Sequence, residues 1–240
     1  ENEWPLARAL DTPFYLHPGG GLSAHKPEGS HPPTNYLFDP GHPVPTIGGN
    51  ISSGQPVMAA GGFDQREAEE FFGSEEPYLP LASRPDVLVF QTTPLEEDVE
   101  ITGPVSVHLW ISSNAVDTDF TAKLIDVYPP SVDYPEGYAL NLTDGILRVK
   151  FRDSWEKPEL MEPGEVYRVK VELLPISNRF VKGHRIRLDI SSSNFPRFDV
   201  NGNTGENPGT SPVRITALNS VYHDESRQSH ALLPVIPAPP

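Results

Sequence analysis

At 240 residues, with 28 prolines, 19 glycines and 37% hydrophobic content, the chain has room for one large all-β domain or two small ones. A formal net charge of −15 argues against a nucleic-acid surface and against docking on anionic membrane, and no run approaches the roughly 18 apolar residues of a membrane helix. The absence of cysteine excludes disulfides, thiol catalysis and zinc–thiolate sites, and leaves a soluble protein of either the cytoplasm or a secreted compartment.

In chain order, residues 1–85 read as an irregular arm. The chain opens at Glu1 without Met or a signal peptide, as a mature or excised fragment would. Short apolar runs, Phe14-Tyr15-Leu16 and Tyr36-Leu37-Phe38, each a candidate short strand, are separated by Gly- and Pro-rich pieces such as HPGGG and DPGHPVPTIGGN. Asp64 to Phe72 has the composition of two helical turns, with Asp64 as N-cap. From Asp86 the texture changes to alternating strands, so residues 86–240 are assigned to the sandwich. Val87–Phe90 is a compact apolar run. Val105, Val107, Leu109 and Ile111 alternate with polar and aromatic residues. Asp119–Tyr128 is a longer strand whose alternation slips near Leu124-Ile125, the sign of a bulge or of burial on both faces. Leu147, Val149 and Phe151, then Tyr167 to Leu173, keep the two-residue period. The strand at 184–192 runs into the loop SSSNFPRFDVNGNTG, and two more strands follow at about 213–222 and 232–236. That makes about eight strands with almost no helical periodicity, an all-β sandwich.

The chemistry-bearing residues point away from catalysis in this chain. A G-x-S-x-G nucleophile turn is missing; Gly21-Leu22-Ser23-Ala24-His25 begins one and does not finish it. Ser191, Ser192 and Ser193 close a strand with no adjacent base. No histidine pair stands at helical i, i+4 spacing, so a metal site is unsupported. Asp117, Asp119, Asp199 and Asn201 offer oxygen ligands of the kind calcium takes, but their spacing matches no calcium loop, and no cofactor is assigned. Trp110, with His108 on the same strand face, and Phe195 in the long loop are candidates for contact with another domain. The glycine-flanked stretch 47–54 is the candidate wall of a substrate cleft. There Ile51 would supply apolar contact, and Asn50 and Ser52 hydrogen bonds. The alternative is a free-standing β-sandwich module that binds a carbohydrate or other ligand through Trp110 or the 191–205 loop.

Several stretches together resemble one family: WPLARA, HPVPTIGGN, DVLVFQTTPLEEDVEITGPV, AVDTDFTAKLIDVYP, ALNLTDGILRVKFRDS, GHRIRLDISSSNFPRFD and NGNTG. They resemble the C-terminal jelly-roll domain, with its preceding linker arm, of the Xaa-Pro dipeptidyl-peptidase and cocaine-esterase-like (CocE/NonD) serine hydrolases. The resemblance implies a galactose-binding-like jelly roll. It implies as partner an α/β-hydrolase catalytic domain, which carries the Ser-His-Asp triad in the same parent chain or a separate one. No triad residue maps onto this chain. The resemblance therefore implies a non-catalytic domain that stabilises its hydrolase and has no catalytic residue of its own.

Overall fold

The computed structural model describes residues 2–49, 57–207, 209 and 212–237. Among them are eleven strands, three short 3₁₀ turns and no α-helix. The strands are β1 (Leu10–His17), β2 (Gly21–Ser23), β3 (Thr34–Phe38), β4 (Leu88–Gln91), β5 (Val99–Ser113) and β6 (Asp119–Tyr128). They continue with β7 (Tyr138–Arg148), β8 (Tyr167–Phe180), β9 (Arg185–Ser191), β10 (Ala217–Tyr222) and β11 (His230–Ile236).

Neighbouring strands follow the order β3-β10-β5-β11-β1-β2-β4-β9-β6-β7, with β8 on the remaining edge of β5. A single parallel bridge, Gly21 to Gln91, joins β2 to β4, and the path divides there into two layers. Val105, Val107, Leu109 and Ile111 of β5 share one core with Phe120, Ala122 and Leu124 of β6 and with Ile186, Leu188 and Ile190 of β9. The two layers face each other across this core as a jelly-roll-type β-sandwich. Where β7 crosses β8 the backbones nearly touch: a Cβ on Gly145 would lie 2.1 Å from the Glu172 carbonyl oxygen.

Seven of the eight expected strands have counterparts; the eighth, read at Leu147–Phe151, meets β7 only at Leu147-Arg148, and the rest of β7 was not read as a strand. The slip near Leu124-Ile125 is a bulge: Leu124 pairs with Thr143 and Ile125 with Asn141, so Leu142 is the extra residue. Both faces of β6 are buried as well. The stretch read as a strand through Phe151 ends at Arg148 instead and closes in a 3₁₀ turn. The Val149 amide donates to the Thr118 carbonyl and the Lys150 amide to Asp117 Oδ1, which pulls the chain off the ladder.

Residues 1–85 differ from the irregular arm expected of them. β1 pairs with β11 from Leu10 to Tyr15, β3 pairs with β10, and Leu16, Leu22, Tyr36 and Phe38 sit in the main core. Pro13 and the short length of the runs mask the alternation, and the strands' partners lie about 200 residues away in sequence. No helix forms at 64–72. The Asp64 carboxylate instead accepts the Ala139 amide at 2.8 Å, and Phe71 joins Val44, Ile47, Leu81 and Val87 in a second, smaller core. Phe63 packs on that core, meeting Phe71 edge to face.

Candidate interdomain and cleft-lining site

The end of β9 and the loop after it carry Ser191-Ser192-Ser193-Asn194, all buried. Apolar side chains would continue the alternation of Ile186, Leu188 and Ile190; the sequence supplies hydrogen-bonding groups instead, and each has a task. Ser191 Oγ meets Thr121 Oγ1 at 2.6 Å across the β9–β6 pairing. Ser192 Oγ meets the Tyr36 hydroxyl at 2.7 Å and accepts from Asn219 Nδ2 at 2.9 Å. Burial holds the Tyr36 phenol protonated, far above its ordinary range. Ser193 Oγ accepts the Val44 amide at 2.8 Å, and Asn194 Nδ2 donates to Asp144 Oδ2 at 3.3 Å. These four residues tie both layers and residues 44–46 to a single corner.

Backbone bonds complete the attachment. The Phe195 amide donates to the Val44 carbonyl at 2.9 Å and the Thr46 amide to the Phe195 carbonyl at 2.7 Å. The Arg197 amide reaches Thr46 Oγ1 at 3.3 Å. The stretch leading into 50–52 and the loop carrying Phe195, far apart in sequence, are thus adjacent strips of one surface. Phe195 is half-buried and packs at a tilt, 5.8 Å from the exposed Phe72 ring. Gly48 and Gly49, at φ +62° and +104°, follow. A Cβ on Gly48 would fall 2.4 Å from the Phe63 ring, so only glycine fits there. Gly49 and Gly61 exchange backbone hydrogen bonds at 2.7 and 3.0 Å. Asn50, Ile51 and Ser52 lie outside the described residues.

Beneath this strip the outward face of β7-β6-β9 carries charge. Lys123 stands opposite Asp144 on one side and Asp189 on the other, and all three are buried. Arg187 forks onto Asp189 at 2.6 and 2.5 Å, and Arg197 Nη1 lies 2.8 Å from Asp144 Oδ1 in an ionic contact too poorly aligned for a hydrogen bond. Desolvation draws the Lys123 ammonium below the usual lysine range, and Asp144 and Asp189 act against that.

Trp110 and His108 are elsewhere. They sit on the outer face of β5 in the other layer, Trp110 between Tyr222 and Arg168 in register, His108 between His230 and Lys170. Trp110 is half-buried and forms no open stacking platform. The His108 ring stacks on His230 with centroids 5.0 Å apart. Desolvation, then the nearby His230, Arg168 and Lys170, lowers its pKa to about 4.

The acidic residues considered for calcium are engaged internally. Asp119 takes both arms of Arg148 at 2.9 Å, and Asn201 Nδ2 at 2.7 Å. Asp117 accepts from the Lys150 amide and from Asn201. Among the described residues no three His, Asp or Glu side chains are grouped to hold a metal ion. Ser23 Oγ lies 2.9 Å from His17 Nε2, but the ring's further contact is with the His25 backbone and not with an orienting carboxylate. Sequence reasoning did not single out Gln65, Lys123, Asp144, Arg197, Tyr36 or Asn219. The available signal was the run of polar residues continuing a strand whose preceding inward positions are all apolar.

Residues 1–231 match the family described as X-Pro dipeptidyl-peptidase C-terminal non-catalytic domain. Cocaine esterase from Rhodococcus sp. (strain MB1 Bresler) is 40% identical over 248 residues, covering 98% of this chain and 39% of that protein. The crystal structure of an aminopeptidase from the marine sediment archaeon Thaumarchaeota archaeon is similar at a TM-score of 0.80 and 26% identity, over 95% of this chain and 37% of that one. An α-amino acid ester hydrolase is similar at a TM-score of 0.79 and 31% identity, over 94% of this chain and 36% of that one. The chain therefore spans less than two-fifths of each of these proteins. With the match running through both layers, the corner at 191–198 and residues 44–49, the chain belongs to the family of X-Pro dipeptidyl-peptidase C-terminal non-catalytic domains.

Proposed function

We propose that this chain is the C-terminal part of a larger serine hydrolase. In this reading an α/β-hydrolase catalytic domain supplies the triad, and the sandwich stabilises that domain and lends residues 47–54 to one wall of its substrate cleft. The proteins it resembles are named as an esterase, an aminopeptidase and an amino acid ester hydrolase, so the bond class supported is a carboxylic ester or amide. The observation that carries the cleft reading is the fixing of residues 44–49 against the Phe195 loop, with Gly49 locked to Gly61 by paired backbone bonds. The described residues on either side of 50–56 are thus fixed to the sandwich, and ligand sites favour clefts between domains.

The test is made in the full-length hydrolase. Ile51→Trp is expected to change kcat/KM selectively between substrates with bulky and small acyl groups. A contact of one or two methylenes is worth about 1–3 kcal/mol, roughly 10–200-fold. An equal effect on every substrate, or none, removes residues 47–54 from the cleft. Phe195→Ala is expected to weaken docking of the catalytic domain, read as earlier separation of the two parts in limited proteolysis.

A further inference from the structure

Trp155 is 74% exposed, more than any other tryptophan, tyrosine or phenylalanine among the described residues. The turn that carries it is nevertheless braced. The Glu159 amide donates to the Lys150 carbonyl at 2.7 Å, and Arg152 Nη1 donates to the carbonyls of Glu159 at 2.6 Å and Val149 at 3.3 Å. The Arg152 guanidinium also lies over the Tyr167 ring, 4.5 Å from its centroid. Next to the indole, Ser154 Oγ accepts the Glu156 and Lys157 amides, each at 3.2 Å. The Phe151 ring supports the indole as an offset parallel pair, with centroids 6.2 Å apart and planes at 21°. At its exposure, the second face of the indole is open to solvent.

Beside the indole lies a cavity of about 400 Å³, within the size range of small-molecule sites. Ile146 and Phe151 give it apolar surface, and Asp153, Lys170 and Glu172 give it charge. Those charges are balanced. Lys170 Nζ bonds Glu172 Oε1 at 2.7 Å, and Asp153 Oδ2 lies 3.3 Å from Arg152 Nε. No surplus positive charge is left for a phosphate or a carboxylate, and no unpaired carboxylate for a cation. Asp153, Lys170 and Glu172 are exposed, so their ion pairs contribute little and can be exchanged for other hydrogen bonds. A protein surface docked here would shut the same charges away from water, which is costly. A neutral ligand with one apolar face and a rim of hydroxyls meets every requirement. The C–H face of a pyranose ring lies flat on an indole, and hydroxyls both donate and accept, so they satisfy carboxylates and ammonium together.

We propose that the Trp155 turn, with β7 and β8 beside it, forms a binding site for neutral saccharides. Trp155 is the stacking platform, and Asp153, Lys170 and Glu172 are the hydroxyl partners. Because the turn is braced before the sugar arrives, little ordering entropy is lost on binding. Neither Trp110 nor the 191–205 loop, the places weighed for a carbohydrate from the sequence, lines this cavity. The site does not rest on the cleft reading above.

The experiment uses the full-length hydrolase. Cellotriose, maltotriose, mannotriose, galactotriose and triacetylchitotriose are titrated in calorimetry and indole fluorescence, and insoluble cellulose, mannan and chitin are used in sedimentation. At least one trisaccharide is expected to bind with a Kd of about 1 mM or tighter. Trp155→Ala should weaken that binding about tenfold or more, the loss expected of an aromatic anchor. Trp155→Phe, which keeps a ring, should restore part of it, and Glu172→Gln should weaken binding a few fold. Both side chains stand in solvent, so an unchanged Tm is expected to accompany each variant. Retention on a polysaccharide that is lost in Trp155→Ala marks a polymer as the ligand; trisaccharide binding without retention marks a free oligosaccharide. The proposal is overturned if no probe binds at about 10 mM, or if binding survives Trp155→Ala unchanged. Earlier separation of the catalytic domain in limited proteolysis of Trp155→Ala, with no sugar bound by wild type, would make the indole a domain contact and overturn it as well.

Discussion

Removing one partner of the Asp119–Arg148 pair tests most directly the account of Asp119 as engaged inside the fold. Asp119 is 1% exposed and Arg148 19% exposed in their side chains, with two parallel bonds of 2.9 Å between them. Breaking a buried pair by deleting one member costs about 3–5 kcal/mol, because the other charge stays buried without compensation. The two deletions are not equivalent. In Asp119→Ala the guanidinium keeps some water and its bond to the Asp199 carbonyl, so the low end, about 3 kcal/mol, is expected. In Arg148→Met a carboxylate is left in a dry site with Asn201 as its remaining donor. Burial already raises the Asp119 pKa, and Arg148 is the chief force opposing that rise. The deserted carboxyl therefore takes up a proton. The sign follows: the folded state binds a proton that the unfolded state releases above its ordinary pKa. Stability of Arg148→Met relative to wild type thus improves as pH falls through the raised value toward the ordinary carboxylate pKa, and Asp119→Ala shows no such recovery.

Urea unfolding at several pH values measures all of this. A loss of 3–5 kcal/mol corresponds to a fall in Tm of about 6–20 °C for a domain of this size. The double variant Asp119→Leu/Arg148→Met should cost much less than the sum of the single changes, since the charge and its counter-charge leave together. Single costs below 1 kcal/mol, or additivity within about 0.5 kcal/mol, would refute the claim that Asp119 and Arg148 form a buried, mutually compensating pair.

Gly145→Ala should destabilise by more than about 3 kcal/mol or prevent folding, since its Cβ would meet the Glu172 carbonyl at 2.1 Å; circular dichroism on heating checks it. Ser193→Ala leaves the Val44 amide without its acceptor and should cost about 1–3 kcal/mol in urea unfolding, with faster proteolytic cutting near residues 44–49. His108 protonates near pH 4 when folded against 6.5 unfolded, so its contribution to stability falls as pH drops from 6.5 toward 4. The wild-type minus His108→Leu difference in urea midpoint should shrink over that window, by about 1 kcal/mol once solvent screening of this half-exposed ring is allowed for. Purified alone, the chain should turn over neither p-nitrophenyl esters nor Xaa-Pro anilides; turnover lost specifically in Ser23→Ala or Ser191→Ala would overturn its reading as non-catalytic.

Alternation made most strands from β4 onward legible, above all β5 and β8, which bury one face so that the period of two is written in the side chains, whereas β7 was read only at its last two residues. The same rule located the β6 bulge at Leu124-Ile125, where an extra partner residue breaks the period. β1 and β3 were legible only as fragments. Their stability comes from pairing with β11 and β10, and a strand whose partner lies at the far end of the chain carries little of its own signal. At 64–72 the reading failed for a related reason. An Asp ahead of polar residues has the look of an N-cap, but its carboxylate is worth more accepting a strand amide from Ala139. Of the candidate residues, Phe195 came to lie beside the strip leading to 50–52, and Trp110 and His108 did not; sequence places a side chain on a face of its strand without saying what the opposite layer brings near.

The polar corner leads to the expectation that residues 191–194 resist replacement by apolar residues. A sandwich closed with Leu or Val at 191–194 would bury comparable area, but it would hold residues 44–46 by contact alone, which tolerates sliding. Ser193 on the Val44 amide and the Phe195 backbone on Val44 and Thr46 fix that strip to a few tenths of an ångström, since each bond fails outside a narrow range of distance and angle. Hydrogen bonds add about 1 kcal/mol each to stability, no more than the packing they displace, so their return here is geometric. The cost is a set of buried donors and acceptors that must all be satisfied together. That requirement makes Ser192, Tyr36 and Asn219 a single unit, and Tyr36→Phe should unsettle Asn219, whose Oδ1 already lacks a partner, as well as Ser192. The expected loss is about 1–2 kcal/mol. A matching loss in Ser192→Ala that does not add to it in the double variant would show the unit; full additivity would show three independent bonds.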